Sequence, residues 1–404
     1  METRNGSKLR VLMFPWIAHG HVFPYLELSK NLSSRNFHMY FCSTTINLDS
    51  IKNSLHEHSS IQLVELQLPS FPDLPPHFHT TKYVPPNLMP RLFHAFQMSI
   101  SSFTDIITNL KPDLLIYDVF QPWAARIAAS INIPAVHFAT TGAAAYSFVY
   151  HMFTDKDSTF PYPVMYLKDN ERKALQAAIG QLISDDDDGA QSDNEENGPE
   201  IVEWLSKKPE FSTVFISFGS ENYFSKDQMQ EIAKGLELCN VNFIWVVRSP
   251  VGETININEI MPMGFLHRVK DRGIILEGWA PQAKILAHKS IGAFMSHCGM
   301  SSIFESLYFG VPVIAVPLKL DQPLNARFLV EAGAGVEVAR DEDGNLRRQE
   351  VANVINKVIV DTCGERLRFR AMELSEKMKC EEEEAMNEAA EQLLQLCIKF
   401  KEHN

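Results

Sequence analysis

The chain has 404 residues, enough for two domains of ordinary size that each bury a core. Its formal net charge of −13 makes a nucleic acid or an anionic membrane surface unsuitable as the main partner. Six cysteines are scattered with no paired or metal-binding spacing, which favours a reducing compartment and predicts a cytoplasmic protein.

Two sequence patterns bear on export and membrane insertion. The first residues, METRNGSKLRVLMF, contain no apolar core followed by a small-residue cleavage site, so we expect no secretory signal. The most apolar long window, residues 135–153, is interrupted by His137, Thr140, Thr141 and His151. We therefore expect no membrane span.

The first half of the chain alternates strand-like apolar runs with helical patterns. Strands are predicted at residues 10–14, 38–42, 61–66, 114–117 and 135–138. Helices are predicted at residues 22–32, 89–110 and 122–131, the last with proline in its first turn. This alternation predicts a parallel, doubly wound sheet.

Three polar side chains of this half follow predicted strands. His19 and His21 fall in a glycine-containing turn, residues 15–21, and Asp118 follows the fourth strand. Ligands of open α/β sheets bind at the carboxyl edge of the strands, so these side chains are candidates for a site. Residues 67–86, rich in proline, histidine and aromatics, predict an ordered surface loop beside a cleft.

An acidic tract separates the two halves. Residues 184–199 read SDDDDGAQSDNEENGP, a composition that cannot bury apolar surface and predicts a linker. The run Asp185 to Asp188 resembles a set of metal-binding aspartates, but no strand or glycine frame positions those carboxylates. A solvated charge run is the favoured interpretation.

The alternation resumes after the linker. Strands are predicted at residues 213–218, 242–247, 273–277, 292–295, 313–316 and 335–338. Helices are predicted at residues 201–206, 226–238 and 301–309, with terminal helices over 365–403. The second half is therefore a second doubly wound unit.

The stretch 279–322 concentrates the polar groups of this second unit. Residues 296–302 connect a strand to a helix, so free backbone N–H groups and a helix dipole meet there and favour phosphate. Glu305 lies one turn into the helix, where its carboxylate can accept from a ribose diol. Asp321 and Gln322 follow the next strand, and Trp279 offers a flat face for a base.

This stretch, WAPQAKILAHKSIGAFMSHCGMSSIFESLYFGVPVIAVPLKLDQ, resembles without a gap the signature box of plant UDP-sugar-dependent glycosyltransferases. The resemblance implies an α/β glycosyltransferase B fold, with two Rossmann-like doubly wound domains facing across a cleft. It implies that Trp279 stacks on uracil, with Ala280 and Gln282 beside the base and ribose. Glu305 then accepts from the ribose diol.

The resemblance also assigns residues to the diphosphate and the sugar. The diphosphate would be cradled by His297, Gly299, Met300, Ser301 and Ser302, with help from Ser220 on a Gly-Ser turn. Asp321 and Gln322 would read the sugar hydroxyls. Two positions depart from the family pattern, which usually has Trp where this chain has Met300 and usually Asn where it has Ser301.

For the catalytic base, chemistry alone leaves His19 and His21 open, since a histidine near neutral pH suits the task at either position. The family pattern selects His21, directly after the glycine. Asp118 resembles the aspartate that holds the imidazole, and Thr140 the hydroxyl that meets the transferred sugar. The resemblance implies an inverting reaction with UDP-glucose as donor, no permanently bound cofactor and no metal.

The domain boundaries follow from these patterns. We expect an N-terminal acceptor-binding domain over 1–183, a linker over 184–199, a C-terminal UDP-sugar-binding domain over 200–385, and a helix over 386–404 that returns to the first domain. The family has further strand and helix units between Lys173 and the acidic tract. Their absence here predicts a shortened first domain.

The acceptor is assigned by resemblance to one branch of the family. The segments 16–21, 41–44, 117–124 and 218–221 resemble enzymes that add sugar to triterpenoid or flavonoid glucosides, and Gln322 favours glucose over galactose. The alternatives are an aglycone glycosyltransferase, a user of UDP-rhamnose or UDP-xylose, and a UDP-sugar-binding protein without transferase activity. We expect a monomer with small-molecule partners.

Overall fold

The computed structural model describes residues 8–55, 60–155, 158–181, 198–219, 224–248, 256–278 and 280–403. The chain divides into two compact units. Unit 1 comprises Met1–Thr140, Gly180–Gln191 and Glu381–Asn404, and unit 2 comprises Thr141–Ile179 and Ser192–Cys380.

Unit 1 contains a parallel sheet of five strands in the order β3-β2-β1-β4-β5. The strands are β1 (Leu9–Phe14), β2 (Phe37–Ser43), β3 (Ile61–Glu65), β4 (Leu114–Tyr117) and β5 (Ala135–His137). All of β1 except Arg10 is buried, as expected of a central parallel strand covered by helices on both faces.

The helices of unit 1 cover both faces of this sheet. They are α1 (His19–Ser33), α2 (Thr45–Lys52), α3 (Met89–Gln97), α4 (Ile100–Leu110) and α5 (Pro122–Ser130). Because side chains alternate along a strand, Leu12 and Phe14 pack in the core that includes α3 to α5. Val11 and Met13 pack on the other face, in the core that includes α1.

Two predicted element boundaries in unit 1 were wrong. α1 begins at His19 rather than at residue 22, because the backbone N–H groups of His21 and Val22 already donate to the Ala18 carbonyl, at 2.9 and 2.8 Å. The predicted helix 89–110 is two helices. At the break, the buried Ser99 hydroxyl donates to the Phe96 carbonyl at 2.6 Å, a local bond that competes with helix continuation.

Unit 2 contains a second parallel sheet, in the order β11-β10-β9-β6-β7-β8. Its strands are β6 (Thr213–Ser217), β7 (Asn242–Val247), β8 (Gly273–Glu277), β9 (Ile291–Ser296), β10 (Val313–Ala315) and β11 (Gly335–Glu337). The predicted class, two doubly wound α/β units, is confirmed.

The α-helices of unit 2 follow one another from α6 to α16, and the last of them extends into unit 1. They are α6 (Ala143–Thr154), α7 (Asp169–Gln181), α8 (Gly198–Ser206), α9 (Lys226–Leu238), α10 (Ile257–Ile260), α11 (Phe265–Val269), α12 (Gln282–Leu286), α13 (Met300–Tyr308), α14 (Gln322–Glu331), α15 (Arg348–Ile359) and α16 (Thr362–His403). None of the helices in the described ranges has the length and apolar character that crossing a bilayer requires.

The division into units differs from the boundary placed at residue 183. Residues 141–179 belong to unit 2, because Ala145 and Phe148 of α6 share a buried cluster with Leu324 of α14. An ion pair adds to this packing, since Arg327 of α14 lies 2.7 Å from Glu171 of α7. The apolar side chains of α6 are therefore buried against α14, which places the segment in unit 2.

The last helix, α16, contributes to both units. From Glu381 onward it belongs to unit 1, where Ala390 and Cys397 join the buried core that contains α1. Lys401 near its end lies 2.6 Å from Asp113. Most of the predicted linker, residues 184–197, lies outside the described residues.

Candidate functional site

Both sheets have a point where the strand order reverses, and the candidate residues follow the strands that meet there. In unit 1 the reversal lies between β1, which precedes His21, and β4, which precedes Asp118. In unit 2 it lies between β6, which precedes Gly219, and β9, which precedes His297. Such points form the crevices in which open α/β sheets bind ligands.

The unit 1 site is built on His21, Asp118 and Thr140. Nδ1 of His21 lies 2.7 Å from Oδ2 of Asp118, which is 1% exposed. The backbone N–H of Trp16 donates to the same oxygen at 3.4 Å. A carboxylate only accepts, so Nδ1 of His21 carries the hydrogen and the lone pair of the neutral ring is on Nε2.

Thr140, three residues after the end of β5, completes this arrangement. Its Oγ1 lies 2.9 Å from Nδ1 of His21, so it acts as a second acceptor for the same hydrogen. The hydroxyl predicted to meet a sugar is thus in contact with the imidazole. The structure brings all three predicted residues of unit 1 together.

The structure also distinguishes the two histidines that the sequence left open on chemical grounds. His21 makes the hydrogen bond to Asp118, whereas His19 is nearly buried and packs edge-on against Phe23, with ring centroids 5.1 Å apart. Phe120 packs against His21, with ring centroids 5.5 Å apart, and Trp16 packs against Phe120 at 5.4 Å.

The unit 2 site is built around the first turn of α13. Its N-cap, Gly299, offers no side chain, so the N–H groups that open the helix receive no side-chain cap. Cys298, just before it, is a non-glycine residue with a positive φ of 67°. Uncapped N–H groups and a helix dipole form an anion-binding site, and strain of this kind is concentrated at functional loops.

His297 is held against this turn by two glycines. A Cβ on Gly219 would lie 2.8 Å from its Cε1, and a Cβ on Gly299 would lie 2.5 Å from its Nε2. Burial, with a smaller contribution from the charge of Lys319, lowers the pKa of His297 to about 4. The ring is therefore neutral near pH 7, and its buried Nδ1 has no hydrogen-bond partner among the described residues.

Gln282 and Glu305, both predicted to contact the ribose, meet in the structure. Nε2 of Gln282 donates to Oε2 of Glu305 at 3.0 Å. Burial raises the pKa of Glu305, while this hydrogen bond opposes the shift. Gln282 thus orients one carboxylate oxygen of Glu305, and Ala280 is buried in the core beneath.

Asp321 and Gln322 lie at the start of α14. Oδ2 of Asp321 accepts from Thr141 Oγ1 and, at 2.8 Å, from Asn325 Nδ2. Oε1 of Gln322 accepts from the backbone N–H groups of Leu318 and Lys319, both at 3.0 Å. The carbonyl of Gln322 is therefore committed to its own loop, which leaves its amide N–H groups for a ligand.

Some of the remaining predicted residues are described by the structure and others are not. Met300 and Ser302 are half-buried and Ser301 is exposed in the first turn of α13. Trp279 and Ser220 lie outside the described residues, so their predicted roles stay predictions. Burial raises the pKa of the Cys298 thiol, consistent with its interpretation as packing.

Sequence reasoning missed three residues of the unit 2 site. Gly219 is needed because His297 occupies the space of its side chain, and Thr141 and Asn325 bind Asp321. Asn325 had a signal, since its i, i+4 spacing from Asp321 places both on one helix face. Thr141 had none, because it reaches Asp321 from a distant part of the chain.

No group of three His, Cys, Asp or Glu side chains in the described ranges has the arrangement of a metal site.

The comparisons with known proteins agree with this geometry. The family model described as UDP-glucoronosyl and UDP-glucosyl transferase matches residues 50–379. The chain is 45% identical to "Mogroside IIIx synthase" of Siraitia grosvenorii over 442 aligned positions, covering 96% of this chain and 98% of that protein. It is 42% identical to "Beta-D-glucosyl crocetin beta-1,6-glucosyltransferase" of Gardenia jasminoides, covering 95% and 98%.

A solved structure shows the same fold. The crystal structure of TcCGT1 in complex with UDP superposes with a TM-score of 0.74 at 26% identity, covering 98% of this chain and all of that one. It has the glycosyltransferase B fold, which confirms the predicted fold class.

Proposed function

Because this chain belongs to the UDP-glucoronosyl and UDP-glucosyl transferase family, we propose that it transfers glucose from UDP-glucose to a hydroxyl group on the sugar of a small-molecule glycoside. The acceptor oxygen attacks the anomeric carbon as the bond from that carbon to UDP breaks. One displacement inverts the anomeric centre and gives a β-glycoside from the α-linked donor.

The hydrogen bond between His21 and Asp118 carries this proposal. It leaves the lone pair on Nε2 of His21, which takes the proton of the acceptor hydroxyl during attack. The imidazolium that forms is stabilised by the carboxylate of Asp118. Thr140 keeps the ring in the same orientation through its contact at Nδ1.

The unit 2 site supplies the groups that a UDP-sugar needs. The diphosphate accepts from the uncapped first turn of α13, where the helix dipole stabilises the charge that grows as UDP leaves. The neutral ring of His297 has no hydrogen-bond partner at Nδ1 among the described residues, and in the tautomer that carries the hydrogen there it donates to a diphosphate oxygen. Glu305 takes the ribose diol and Asp321 the sugar hydroxyls.

The glycoside acceptor is supported by the relatives and by the unit 1 site. The Gardenia relative is named for transfer to glucosyl crocetin, a molecule that already carries sugar. Phe120 packs against His21, and Trp16 and Phe93 pack with Phe120 to form an apolar cluster that suits the non-sugar part of an acceptor.

A second candidate function, UDP-sugar binding without transfer, is favoured by one observation. The alignment to the Siraitia relative has 442 positions, more than the 404 residues of this chain, so that relative carries residues that this chain lacks. The predicted shortening of the first domain would place the missing residues there. Loss of acceptor-binding residues would leave the donor groups of unit 2 in place.

A transfer assay distinguishes these functions. We expect turnover of UDP-glucose with a panel of triterpenoid and flavonoid glucosides to be at least about tenfold faster than with the matching aglycones. This difference corresponds to about 1.4 kcal/mol in activation free energy. Equal rates on aglycones would overturn the acceptor assignment. Faster turnover with UDP-rhamnose or UDP-xylose would overturn the donor, and UDP binding without any turnover would favour the second function.

The molecule's state and location form a further part of the proposal. A monomer is supported by the net charge of −13, which opposes self-association. A cytoplasmic location is supported by the cysteines, all six of which are free thiols. Light scattering at micromolar concentration and the location of a tagged chain in plant cells test the two statements.

A further inference from the structure

One oxygen of the Asp321 carboxylate is held by two donors from different parts of unit 2. Thr141 Oγ1, just before α6, and Asn325 Nδ2, one turn into α14, both donate to Oδ2. Among the described residues, neither donor reaches Oδ1. Two bonds on one oxygen fix the rotation of the carboxylate and leave its second oxygen to be aimed elsewhere.

Asn325 also connects this carboxylate to the loop that opens α13. Its second amide hydrogen is donated to the carbonyl of Cys298 at 3.1 Å, and the side chain is 1% exposed. Both hydrogens of Asn325 are therefore in use. The amide ties the start of α14 to the turn that precedes the uncapped N–H groups.

The two loops joined in this way are conformationally strained. Cys298 and Leu320, which precede the N-caps of α13 and α14, have positive φ angles of 67° and 55°. Non-glycine residues hold such angles only where surrounding contacts impose them. The hydrogen bonds of Asn325 supply such contacts next to both residues.

The segment carrying Thr141 fits here because the next residue is glycine. A Cβ on Gly142 would lie 2.3 Å from Cε of Met300 and 3.6 Å from Oδ1 of Asn325. The bare backbone at position 142 lets Thr141 approach Asp321 beside these side chains. Met300 fills the space that glycine leaves.

We propose that Thr141 and Asn325 are positioning residues for the sugar of the donor. By holding Oδ2 of Asp321, they aim Oδ1 at the hydroxyls of the transferred hexose, and this inference rests on the proposed function. A carboxylate that is already oriented loses less side-chain entropy when the sugar binds. The pair acts through Asp321 and touches no reacting atom.

A purely structural role predicts a different outcome. If Thr141 and Asn325 only stabilised the start of α14, removing their side-chain donors would weaken the binding of UDP and of UDP-glucose equally, since both ligands use the α13 turn. A positioning role affects the sugar alone. The ratio of the two dissociation constants therefore separates the roles.

The experiment compares Thr141→Val, Thr141→Ser and wild type by titration calorimetry with UDP and with UDP-glucose, without acceptor. Valine keeps the shape of threonine and removes the hydroxyl donor, and serine keeps the donor. We expect Thr141→Val to raise the dissociation constant of UDP-glucose about fivefold, because the variant loses one hydrogen bond to the Asp321 carboxylate, which in turn contacts the sugar. UDP should bind within about twofold of wild type, and Thr141→Ser should restore UDP-glucose binding.

Two further variants frame this result. Thr104→Val, on an exposed turn of α4 where the hydroxyl bonds only its own helix, should leave both ligands unaffected. Asn325→Asp places a second carboxylate against Oδ2 of Asp321, so it should weaken UDP-glucose more than Thr141→Val does. It preserves the size of the buried side chain.

Three outcomes would overturn the positioning role: equal weakening of UDP and UDP-glucose by Thr141→Val, unchanged UDP-glucose binding, or tighter UDP-glucose binding, which would mean that Thr141 competes with the sugar. Wild-type turnover, measured in parallel, keeps the two proposals separate. If the wild type transfers glucose and one of these three outcomes is found, the positioning role alone is overturned.

If the wild type binds UDP-glucose without transferring glucose, the proposed function is overturned. The comparison of dissociation constants then still decides the role of Thr141.

Discussion

The ring of His21 is oriented by a carboxylate that is itself almost fully buried. Asp118 has one hydrogen bond from His21 and one from the backbone of Trp16, so its position is set by the main chain rather than by solvent. This arrangement explains how a histidine at the start of a helix keeps one tautomer. The proposed base depends on that tautomer.

Replacing Asp118 with asparagine tests this dependence. The amide can donate to Nδ1, which would move the ring hydrogen to Nε2 and remove the lone pair that takes the proton. We expect kcat to fall by about 10²- to 10⁴-fold, with unchanged binding of UDP to unit 2. Asp113→Asn, which removes a surface ion pair with Lys401, is the control. A wild-type kcat in Asp118→Asn would contradict the assignment.

His297 is the residue whose protonation should be visible in stability. Its pKa is about 4 in the folded chain and 6.5 when unfolded, so between these values the unfolded state binds the extra proton. Stability from the neutral ring is thus complete above pH 6.5 and is lost as the pH falls toward 4. The loss is about 1.4 kcal/mol per pH unit in that window.

The comparison with His297→Gln isolates this effect from the other titrating groups. Glutamine does not titrate, so the stability of wild type relative to the variant should decline from pH 7 to pH 5 in denaturant titrations without ligand. A difference that stays constant across this range would show that His297 is not buried in neutral form.

At the scale of elements, the glycines around His297 link the ends of β6 and β9 to the first turn of α13. Gly299→Ala would place a methyl group 2.5 Å from Nε2 of His297 and push the ring away from the turn. We expect at least about tenfold weaker binding of UDP and of UDP-glucose alike, a loss of about 1.4 kcal/mol. Gly20→Ala, a helical glycine with open space around it, should leave UDP binding unchanged. Wild-type affinity in Gly299→Ala would contradict the packing argument.

The sequence predicted elements well where apolar periodicity is uninterrupted and less well where single hydrogen bonds decide. β4 and α9 have the predicted bounds, since each is a regular pattern between clear stop signals. The break between α3 and α4 depends on the Ser99 hydroxyl, and the early start of α1 on the Ala18 carbonyl. Such bonds leave no periodic signal.

The same distinction holds for the candidate residues. His21, Asp118, Glu305 and Asp321 could be named because they follow predicted strands or fall in a recognisable box. Thr141 could not, because its bond to Asp321 joins positions 180 residues apart. No local sequence pattern indicates a contact between two positions so far apart.

At the scale of the whole molecule, residues 141–179 belong to unit 2, which their position in the sequence does not predict. The segment follows the first sheet directly, yet the Arg327 to Glu171 pair and the cluster around Leu324 attach it to the second. Arg327 is also stacked on Tyr166, 4.2 Å from the ring centroid. Non-local packing, rather than chain order, determines which unit the segment joins.

Removing one partner of this pair tests its importance. Arg327 is 6% exposed, so Arg327→Met leaves Glu171 as an unpaired charge in a largely buried place. We expect a loss of about 3 to 5 kcal/mol in unit 2, measured as a lower melting temperature. Lys207→Met, which breaks an exposed pair with Glu203, should cost less than about 1 kcal/mol. Equal effects of the two variants would contradict the proposed attachment.

The central claim is that unit 2 binds the UDP-sugar while His21 of unit 1 takes the acceptor proton. Its most direct test is His21→Ala, assayed for glucose transfer and for the dissociation constant of UDP on the same preparation. We predict that transfer is abolished while UDP binds as in wild type, because the substituted ring lies in the other unit. Transfer at the wild-type rate by His21→Ala would contradict the claim.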